Sequence, residues 1–470
     1  MLSGGMASRS NARRRALGWL GALAGGVWGM SCLAGCTAAR AEESTRAKQQ
    51  KAALDVSERS RDVDAGSLVE PAWQIELGSA VTSVVSSGIV ADAAGDVLVS
   101  GYTLGALEDG SVLASSDAFL AKYSAMGELR WAAALASADS DTAAGASTDS
   151  AGNVFIAGDT SGALDGAAQG RGDAFVARYS PEGALEWTRQ LGTLQPDAAS
   201  GVSADARGDV FITGVTRGTL AGSRQGSDAD VWVAKYSSAG EPIWCRQFGS
   251  SPGYDERAAG VSAGADGSVF VAGHTFGGLE GDGQGSADAF VAKLSEQGEL
   301  LWMHQLGGTD YDAAEAVRAD GSGNVYVSGQ MGGVLAGGPG VVLPGHPFAA
   351  KYSSGGDLLW LLELEEGALG SATSVSTDGD GNAFIAGYTS AEWGGPHRGL
   401  YDSFVARLSA DGELLWVLQP GVEQLDQASG VSADSSGHVY VSRNVWNFGT
   451  DGSDQAFVSR FGTVPMSDGL

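Results

Sequence analysis

The sequence is poor in cysteine, histidine and positive charge. Three cysteines in 470 residues are too few for a disulfide framework. The five histidines show no His/Cys spacing typical of a metal site. Lys and Arg number 28 against 56 Asp and Glu, which gives a formal net charge of −28. Such acidity argues against a nucleic-acid partner, disfavours adhesion to anionic lipid head groups, and favours cations or basic partners.

Signatures of catalysis are also lacking. No phosphate-binding loop flanked by a strand and a helix appears, so we expect a protein that is not an enzyme. An enzyme acting on an extracytoplasmic polymer, a hydrolase or a lyase, is the alternative because carboxylates are plentiful. Few charged residues (18%), 73 glycines and 43% hydrophobic residues favour an all-β chain with many tight turns and an ample core.

The N-terminus reads as a bacterial secretion signal. Three arginines (13–15) precede an apolar run that is short for a membrane span, and Leu33-Ala34-Gly35-Cys36 closes it. These four residues resemble the lipobox of bacterial lipoproteins, which implies cleavage before Cys36 and lipidation of its thiol. An ordinary secretory peptide is the alternative. We expect residues 1–35 to be a signal peptide and the protein to be lipid-anchored in the bacterial cell envelope, at the outer membrane and extracytoplasmic.

Residues 36–70 comprise the lipidated cysteine and a segment, 37–70, that is polar, with mixed charge and no aromatic residue. Such a segment cannot bury enough surface to order itself, so we interpret it as a disordered tether. A helix over 52–61 is the alternative.

The remainder of the chain contains seven copies of one sequence motif. A tight turn of the form Asp-x-x-Gly recurs every 56 to 59 residues, at Gly95, Gly152, Gly208, Gly267, Gly323, Gly381 and Gly437. Each repeat holds four short runs rich in Val, Ile, Phe, Tyr and Trp, separated by Gly, Asn, Asp and Ser. A period of this size with four strands predicts a β-propeller of seven four-stranded antiparallel blades.

The last repeat stops before its fourth strand, and a matching strand stands before the first repeat. "PAWQIELGS" (71–79) corresponds to "LLWMHQLGG" (300–308). We therefore predict that the N-terminal strand completes the seventh blade and closes the ring, which leaves no open sheet edge. The propeller then spans 71–461, and 462–470 form a C-terminal tail.

This pattern resembles the seven-bladed β-propeller repeat family called SBBP, found in secreted and surface proteins of bacteria. The resemblance rests on the turn glycine of all seven copies and on a late tryptophan, at Trp131, Trp187, Trp244, Trp302, Trp360 and Trp416, with Trp73 as the seventh. The same segment is similar to the docking motif of quinoprotein-type propellers, which implies that each Trp packs between neighbouring blades. The adjacent cysteine pair of many quinoprotein enzymes is lacking. The local departures include His346 and Gln455 in place of an Asp, and Arg443–Asn447 in the last blade.

The alternation of strands places the long loops on one face, the loop face, where binding is expected. An acid recurs just before the first strand of five blades, at Asp141, Asp197, Glu256, Asp312 and Asp426, and is replaced by Val84 and Gly370 in two. These carboxylates could converge near the channel mouth on a cation, for which calcium is the candidate cofactor. The alternative is that each acid bonds the backbone of its own loop.

Two further patterns have a structural interpretation. "DGSGN" (320–324) and "DGDGN" (378–382) imitate the start of a calcium loop but sit between strands, which favours hairpin turns. A basic residue recurs in each third strand, at Lys122, Arg178, Lys235, Lys293, Lys351, Arg407 and Arg460, and predicts ion pairs within the blade.

Taken together, these features predict a membrane-anchored, non-catalytic binding or scaffold module. Its loop face would hold an envelope protein or a polysaccharide. The sequence leaves the oligomeric state open.

Overall fold

Short β-strands account for all the regular structure in the described part of the chain, because alternating Val, Ile, Phe and Tyr residues separated by turn residues suit a pleated sheet. The computed structural model describes residues 71–77, 83–106, 112–166, 168–222, 229–250, 254–279, 286–335, 342–343, 345–364, 368–446 and 454–462. The signal peptide, Cys36, the tether and residues 463–470 lie outside the described residues. Within these ranges no helix is long and apolar enough to span a membrane.

The strands form seven antiparallel sheets, the blades. Blade 1 comprises β2 (Ser83–Ala91), β3 (Val97–Ala106), β4 (Val112–Tyr123) and β5 (Leu129–Leu135). Blade 2 comprises β6 (Asp141–Thr148), β7 (Val154–Thr160), β8 (Asp173–Tyr179) and β9 (Leu185–Leu191). Blade 3 comprises β10 (Asp197–Ala204), β11 (Val210–Thr216), β12 (Asp230–Tyr236) and β13 (Pro242–Phe248). Blade 4 comprises β14 (Glu256–Ala263), β15 (Val269–Thr275), β16 (Asp288–Leu294) and β17 (Leu300–Leu306).

The remaining three blades follow the same order. Blade 5 comprises β18 (Tyr311–Ala319), β19 (Val325–Leu335), β21 (His346–Tyr352) and β22 (Leu358–Glu363), with the short β20 (Val342–Leu343) paired to β19. Blade 6 comprises β23 (Gly370–Thr377), β24 (Ala383–Thr389), β25 (Asp402–Leu408) and β26 (Leu414–Leu418). Blade 7 comprises β27 (Leu425–Ala433), β28 (Val439–Trp446), β29 (Gln455–Phe461) and β1 (Trp73–Leu77). The chain is therefore a seven-bladed β-propeller, as the repeat predicts.

The N-terminal strand closes the ring. β1 pairs antiparallel with β29, from Trp73 opposite Arg460 to Leu77 opposite Ala456. Gln455 Nε2 also donates to Glu76 Oε1 at 2.5 Å across this pair. The prediction that the first strand completes the seventh blade is confirmed.

The innermost strands of the blades line the channel and are joined by serine hydroxyls. Ser203 Oγ accepts the backbone N–H of Ala263 in the next blade at 3.0 Å, and Ser147 Oγ accepts that of Ala204 in the same way. Each innermost strand carries a register shift near its middle. Small residues there let neighbouring strands approach, since a Cβ added at Gly201 would lie 3.2 Å from the Gly260 Cα.

Tryptophan fixes six of the blades to the next blade. Trp244 of β13 donates its indole N–H to the Glu296 carbonyl of blade 4 at 2.9 Å, and its ring covers Gly298, which has a φ of 77°. A Cβ at Gly298 would lie 2.9 Å from that ring, so both the turn and the packing require glycine. The prediction that the tryptophans pack between blades is confirmed for the six that donate such a bond: Trp73, Trp131, Trp187, Trp244, Trp302 and Trp360.

The core lies between the blades and repeats with them. Phe211, Phe270 and Phe384 of the second strands are at most 1% exposed, and burial of each such side chain contributes about 1.5–3 kcal/mol. The basic residues of the third strands lie over these rings and pair with carboxylates of their own blade, as Lys235 does with Asp209 at 3.0 Å. The predicted pairing within the blade is confirmed for Lys122, Arg178, Lys235, Lys293 and Arg407.

Candidate functional site

The two faces of the propeller differ in their connections. One face carries the tight turns, and there Asp320 and Asp378 accept backbone N–H groups of their own turns at 2.9–3.0 Å. The interpretation of these two segments as hairpin turns is confirmed. The other face carries the longer loops between second and third strands and between blades. The candidate functional sites described below therefore lie on the loop face.

The five predicted acids lie at the loop-face ends of the innermost strands, and each is at most 2% exposed. Each accepts hydrogen bonds from its own neighbourhood. Asp141 Oδ2 accepts the Ser137 N–H at 2.6 Å, and Asp312 accepts the N–H groups of Gly308 and Gly332 at 2.7 and 2.8 Å. The acids thus anchor the loops that lead into the innermost strands.

Two more of the acids bond hydroxyl groups. Asp197 accepts from the Thr193 N–H at 2.6 Å and from the hydroxyls of Thr193 and Thr216, while Glu256 accepts from Ser250 and Thr275. Among the described residues, no three His, Cys, Asp or Glu side chains are grouped as one metal ion would require. The structure therefore does not gather the five acids around a single ion, and cation binding stays a prediction.

Instead, four of these acids face the carboxylate that opens the third strand of the preceding blade. Burial raises the pKa of Asp197, Glu256, Asp312 and Asp426, and the charge of the facing Asp adds to the rise. The facing residues are Asp173, Asp230, Asp288 and Asp402, respectively. Asp117 holds the same position before Asp141. We call each such pair, at the boundary between two blades, a junction pair.

Glycine makes room for the junction pairs. A Cβ added at Gly307 would lie 2.5 Å from Asp288 Oδ1 and 2.7 Å from Asp312 Oδ2. A Cβ at Gly249 would likewise lie 2.5 Å from Asp230 Oδ1 and 2.9 Å from Glu256 Oε2. Oxygens of both carboxylates therefore converge on the same small space beside each glycine.

The two members of a junction pair are present or absent together. Five boundaries carry both acids. The boundary between blades 5 and 6 has His346 and Gly370, and that between blades 7 and 1 has Gln455 and Val84, so both lack both acids. The sequence shows each of these four replacements. Only the fold shows that the two positions of one boundary lie next to each other. The coincidence indicates that the two carboxylates act as a unit.

A glutamine of the fourth strand holds the third-strand acid in place. Gln190 Nε2 donates to Asp173 Oδ2 at 2.7 Å and to the Gly162 carbonyl at 3.0 Å, while its Oε1 accepts the Leu164 N–H at 2.9 Å. Gln247 bonds Asp230 in the same manner. In blade 7 the amide and the acid exchange places: Gln455 lies in the third strand and donates to Glu76 of the fourth strand.

The boundary between blades 6 and 7 carries its own positive charge. Arg443 Nη1 lies 2.9 Å from Asp426 Oδ2, and His397 Nδ1 lies 3.1 Å from Asp402 Oδ2. Arg443 replaces the glycine that the other second strands have at this position, which accounts for the departure seen in the last repeat.

Blade 5 departs from the repeat inside the channel. Glu315 occupies the unpaired position of the register shift in β18, where Ser87, Ala144, Ser200, Ala259 and Ser429 stand in other blades. Burial raises the pKa of Glu315 to about 7, and a hydrogen bond with Gln330 opposes the rise. Arg318 replaces a channel serine; it is exposed, and desolvation nevertheless lowers the pKa of its guanidinium. Both groups belong to the innermost strand of blade 5, which lines the channel.

Aromatic side chains surround this part of the channel mouth. Tyr388 and Tyr401 of blade 6 meet edge to face with ring centroids 5.2 Å apart. His274, Phe276 and Tyr311 form a second group with centroids 5.5–6.0 Å apart, in which the Tyr311 hydroxyl lies 3.3 Å from His274 Nε2. We call Glu315, Gln330 and these five aromatic residues the mouth cluster.

The ionisable groups of the mouth cluster have shifted pKa values. Burial raises the pKa of Tyr388 and that of Tyr311, the latter to about 12, and the charge of Glu315 adds to both rises. Burial lowers the pKa of His274 to about 4, so its imidazole is neutral at physiological pH. The cluster thus presents neutral rings and hydroxyls around one carboxyl group.

Sequence reasoning missed the mouth cluster. The available signal was the break in the repeated motif of the innermost strand, "AAEAVRAD" (313–320) against "RAAGVSAG" (257–264). Deviations from an internal repeat mark positions where the fold alone does not explain the residue.

Comparison with known proteins does not assign the chain to a family. No family model matches the chain, so membership of the SBBP family stays a prediction. The chain is 22% identical over 432 residues to an uncharacterised WD repeat-containing protein of Acanthamoeba polyphaga mimivirus, covering 69% of this chain and 31% of that protein. It is 30% identical over 121 residues to the regulatory protein FlaEY of Caulobacter vibrioides, covering 23% of this chain and 12% of that protein. The chain therefore spans less than a third of the length of either relative.

Among solved structures, the chain is similar to the β-propeller domain of the Trilobed protease from Pyrococcus furiosus, with 9% identity, a TM-score of 0.44, and coverage of 82% of this chain and 100% of that domain. It is also similar to a quinoprotein alcohol dehydrogenase-like protein from Bacteroides thetaiotaomicron, with 11% identity, a TM-score of 0.36, and coverage of 73% and 67%. With TM-scores below 0.5, these likenesses carry no argument about this chain.

Proposed function

We propose that this chain is a non-catalytic binding module of the bacterial cell envelope, held on a membrane through lipidated Cys36, and that its loop face binds a polysaccharide. The observation that carries the proposal is the mouth cluster. It concentrates aromatic rings and neutral hydrogen-bonding groups at a part of the channel mouth where the innermost strand of blade 5 departs from the repeat.

The chemistry of the cluster suits a carbohydrate. Sugar rings present apolar C–H faces that pack on aromatic rings, and hydroxyl groups that bond amide, phenol and carboxyl groups. Binding sites generally combine such apolar and aromatic walls with a few polar groups that fix orientation. The acidic remainder of the protein, at a formal net charge of −28, favours neutral or basic ligands over polyanions.

An envelope protein is the other partner class that the sequence predicts, and an enzyme acting on an extracytoplasmic polymer is the second candidate function. The observation that favours an enzyme is Glu315, because a carboxyl group with a pKa of about 7 can act as a general acid near neutral pH. Glycosidases pair such an acid with a second carboxylate. Within the described residues, no other carboxylate contributes to the raised pKa of Glu315, so we favour binding without turnover.

The test is retention of the purified full chain on insoluble envelope polysaccharides, with Tyr388→Ala/Tyr401→Ala as the variant. Tyr254→Ala removes a tyrosine that is 49% exposed and outside the mouth cluster, and serves as the matched control. We expect the double variant to lose at least tenfold in affinity and the control to bind like the parent. Equal binding by all three would overturn the proposed site. Release of soluble sugar, abolished by Glu315→Gln, would establish the enzyme instead.

A further inference from the structure

We propose that the polysaccharide carries an acidic sugar of the uronate class, whose carboxylate pairs with the guanidinium of Arg318 in the channel. The inference rests on the proposed function for the sugar and on Arg318 for the charge. It names the class of polysaccharide, because it assigns the binding site to chains that carry a carboxylate and not to wholly neutral ones.

Arg318 occupies a position that has a structural role in most of the other blades. It lies opposite Tyr326 in the innermost strand of blade 5, and Val90 stands at this position in blade 1. The other five blades have a buried serine there, whose hydroxyl accepts a backbone N–H of the next innermost strand at 3.0–3.2 Å: Ser147, Ser203, Ser262, Ser376 and Ser432. Arginine has no acceptor oxygen and cannot make this bond. The repeat therefore does not account for Arg318.

The guanidinium of Arg318 has no partner within the described ranges. Its donors form neither a hydrogen bond nor an ion pair there, whereas Arg443, the other arginine that departs from the repeat, bonds Asp426 and Gln74. The Arg318 side chain is exposed, yet desolvation lowers its pKa, so its hydration is incomplete. A cation that is partly desolvated and has no counter-charge favours the binding of an anion.

The acids nearest to Arg318 along the chain are engaged elsewhere. Glu315, three residues before it, bonds Gln330. Asp320, two residues after it, accepts the backbone N–H groups of its own tight turn at 2.9 Å. Neither carboxylate contributes to the pKa of Arg318. Since this part of the chain supplies no counter-charge, the anion comes from the ligand.

The site favours a singly charged carboxylate. The planar fork of a guanidinium matches a carboxylate with two parallel hydrogen bonds. One guanidinium neutralises one negative charge, and the formal net charge of −28 disfavours ligands that repeat the charge densely. Arg318 lies three residues from Glu315 of the mouth cluster on the same strand, about 10 Å at the rise of a β-strand. One saccharide chain can therefore contact the mouth cluster and Arg318 together.

The test compares sodium glucuronate with glucose, which lacks the carboxylate, in saturation-transfer NMR titrations of the full chain at constant ionic strength. We expect the parent to prefer glucuronate by about tenfold or more in affinity, as a charge-assisted hydrogen bond provides. Arg318→Gln should lose this preference. Arg318→Lys keeps the charge but lacks the fork, and should retain part of it. Arg171→Gln removes an exposed arginine of blade 2 and should bind like the parent.

Equal affinity of the parent for the two sugars, or an unchanged preference in Arg318→Gln, would overturn the inference. Acetate that binds as tightly as glucuronate would also overturn it, because the site would then recognise a carboxylate without a sugar. If Arg318→Gln does not fold, Arg318→Lys decides, and a preference equal to that of the parent would count against the pairing.

The two proposals fail separately. Loss of polysaccharide retention in Tyr388→Ala/Tyr401→Ala, without a preference of the parent for glucuronate, would refute this inference alone. A preference that depends on Arg318, with retention unchanged in the tyrosine variant, would refute the mouth cluster as the binding site and leave the pairing with Arg318 standing.

Discussion

Glu315 makes the stability of the propeller depend on pH in a defined direction. Its pKa is about 7 in the folded chain and 4.5 when unperturbed, so between these values the folded state holds a proton that the unfolded state has released. The free energy of unfolding therefore falls as pH rises through this window. At about 1.4 kcal/mol per pKa unit, the ionised carboxyl group costs the fold at most about 3 kcal/mol above pH 7.

The isosteric change Glu315→Gln removes this cost. The variant is expected to melt close to the parent at pH 5 and about 4 °C above it at pH 8, from the unfolding entropy of a domain of this size. Thermal melts of parent and variant at the two pH values measure the difference. Glu182→Gln, at an exposed turn, controls for the loss of one charge. An equal offset between parent and Glu315→Gln at both pH values would refute the reasoning.

Three further predictions concern the ring and its anchor. Deleting residues 71–79 removes β1 and opens the edge of β29, so the melting temperature should fall and the protein should associate; an unchanged, monomeric variant in light scattering would count against closure. Trp244→Phe keeps a ring over Gly298 but loses the bond to the Glu296 carbonyl at 2.9 Å, which should cost about 1 kcal/mol in denaturant titration; no measurable loss would show that packing alone matters. Cys36→Ala should give an unprocessed or soluble protein on membrane fractionation, and retained acyl label would contradict the lipoprotein prediction.

The repeat made the fold predictable from the sequence. Seven turn glycines at a regular spacing define the blades, and the unfinished seventh repeat together with Trp73 defines the closure, because both follow from local patterns repeated in register. The acids Asp141 and Asp197 were also visible as a periodic feature.

The sequence did not show which carboxylates face these acids. Asp173 and Asp197 are 24 residues apart and belong to different blades, and only the stacking of blades brings them together. Glu315 was hidden for a different reason: its raised pKa depends on burial in the channel, which a linear pattern does not report. To predict such a site, the positions that depart from the repeat must be located in the three-dimensional structure of the ring.

The central claim, that the mouth cluster on the loop face is the binding surface, is tested most directly by amide hydrogen exchange of the full chain with and without a polysaccharide that it retains. The account predicts slower exchange in residues 274–279, 308–315 and 388–401, at the loop-face ends of blades 4 to 6. Protection confined to the tight turns on the opposite face, such as 320–324 and 378–382, would contradict it.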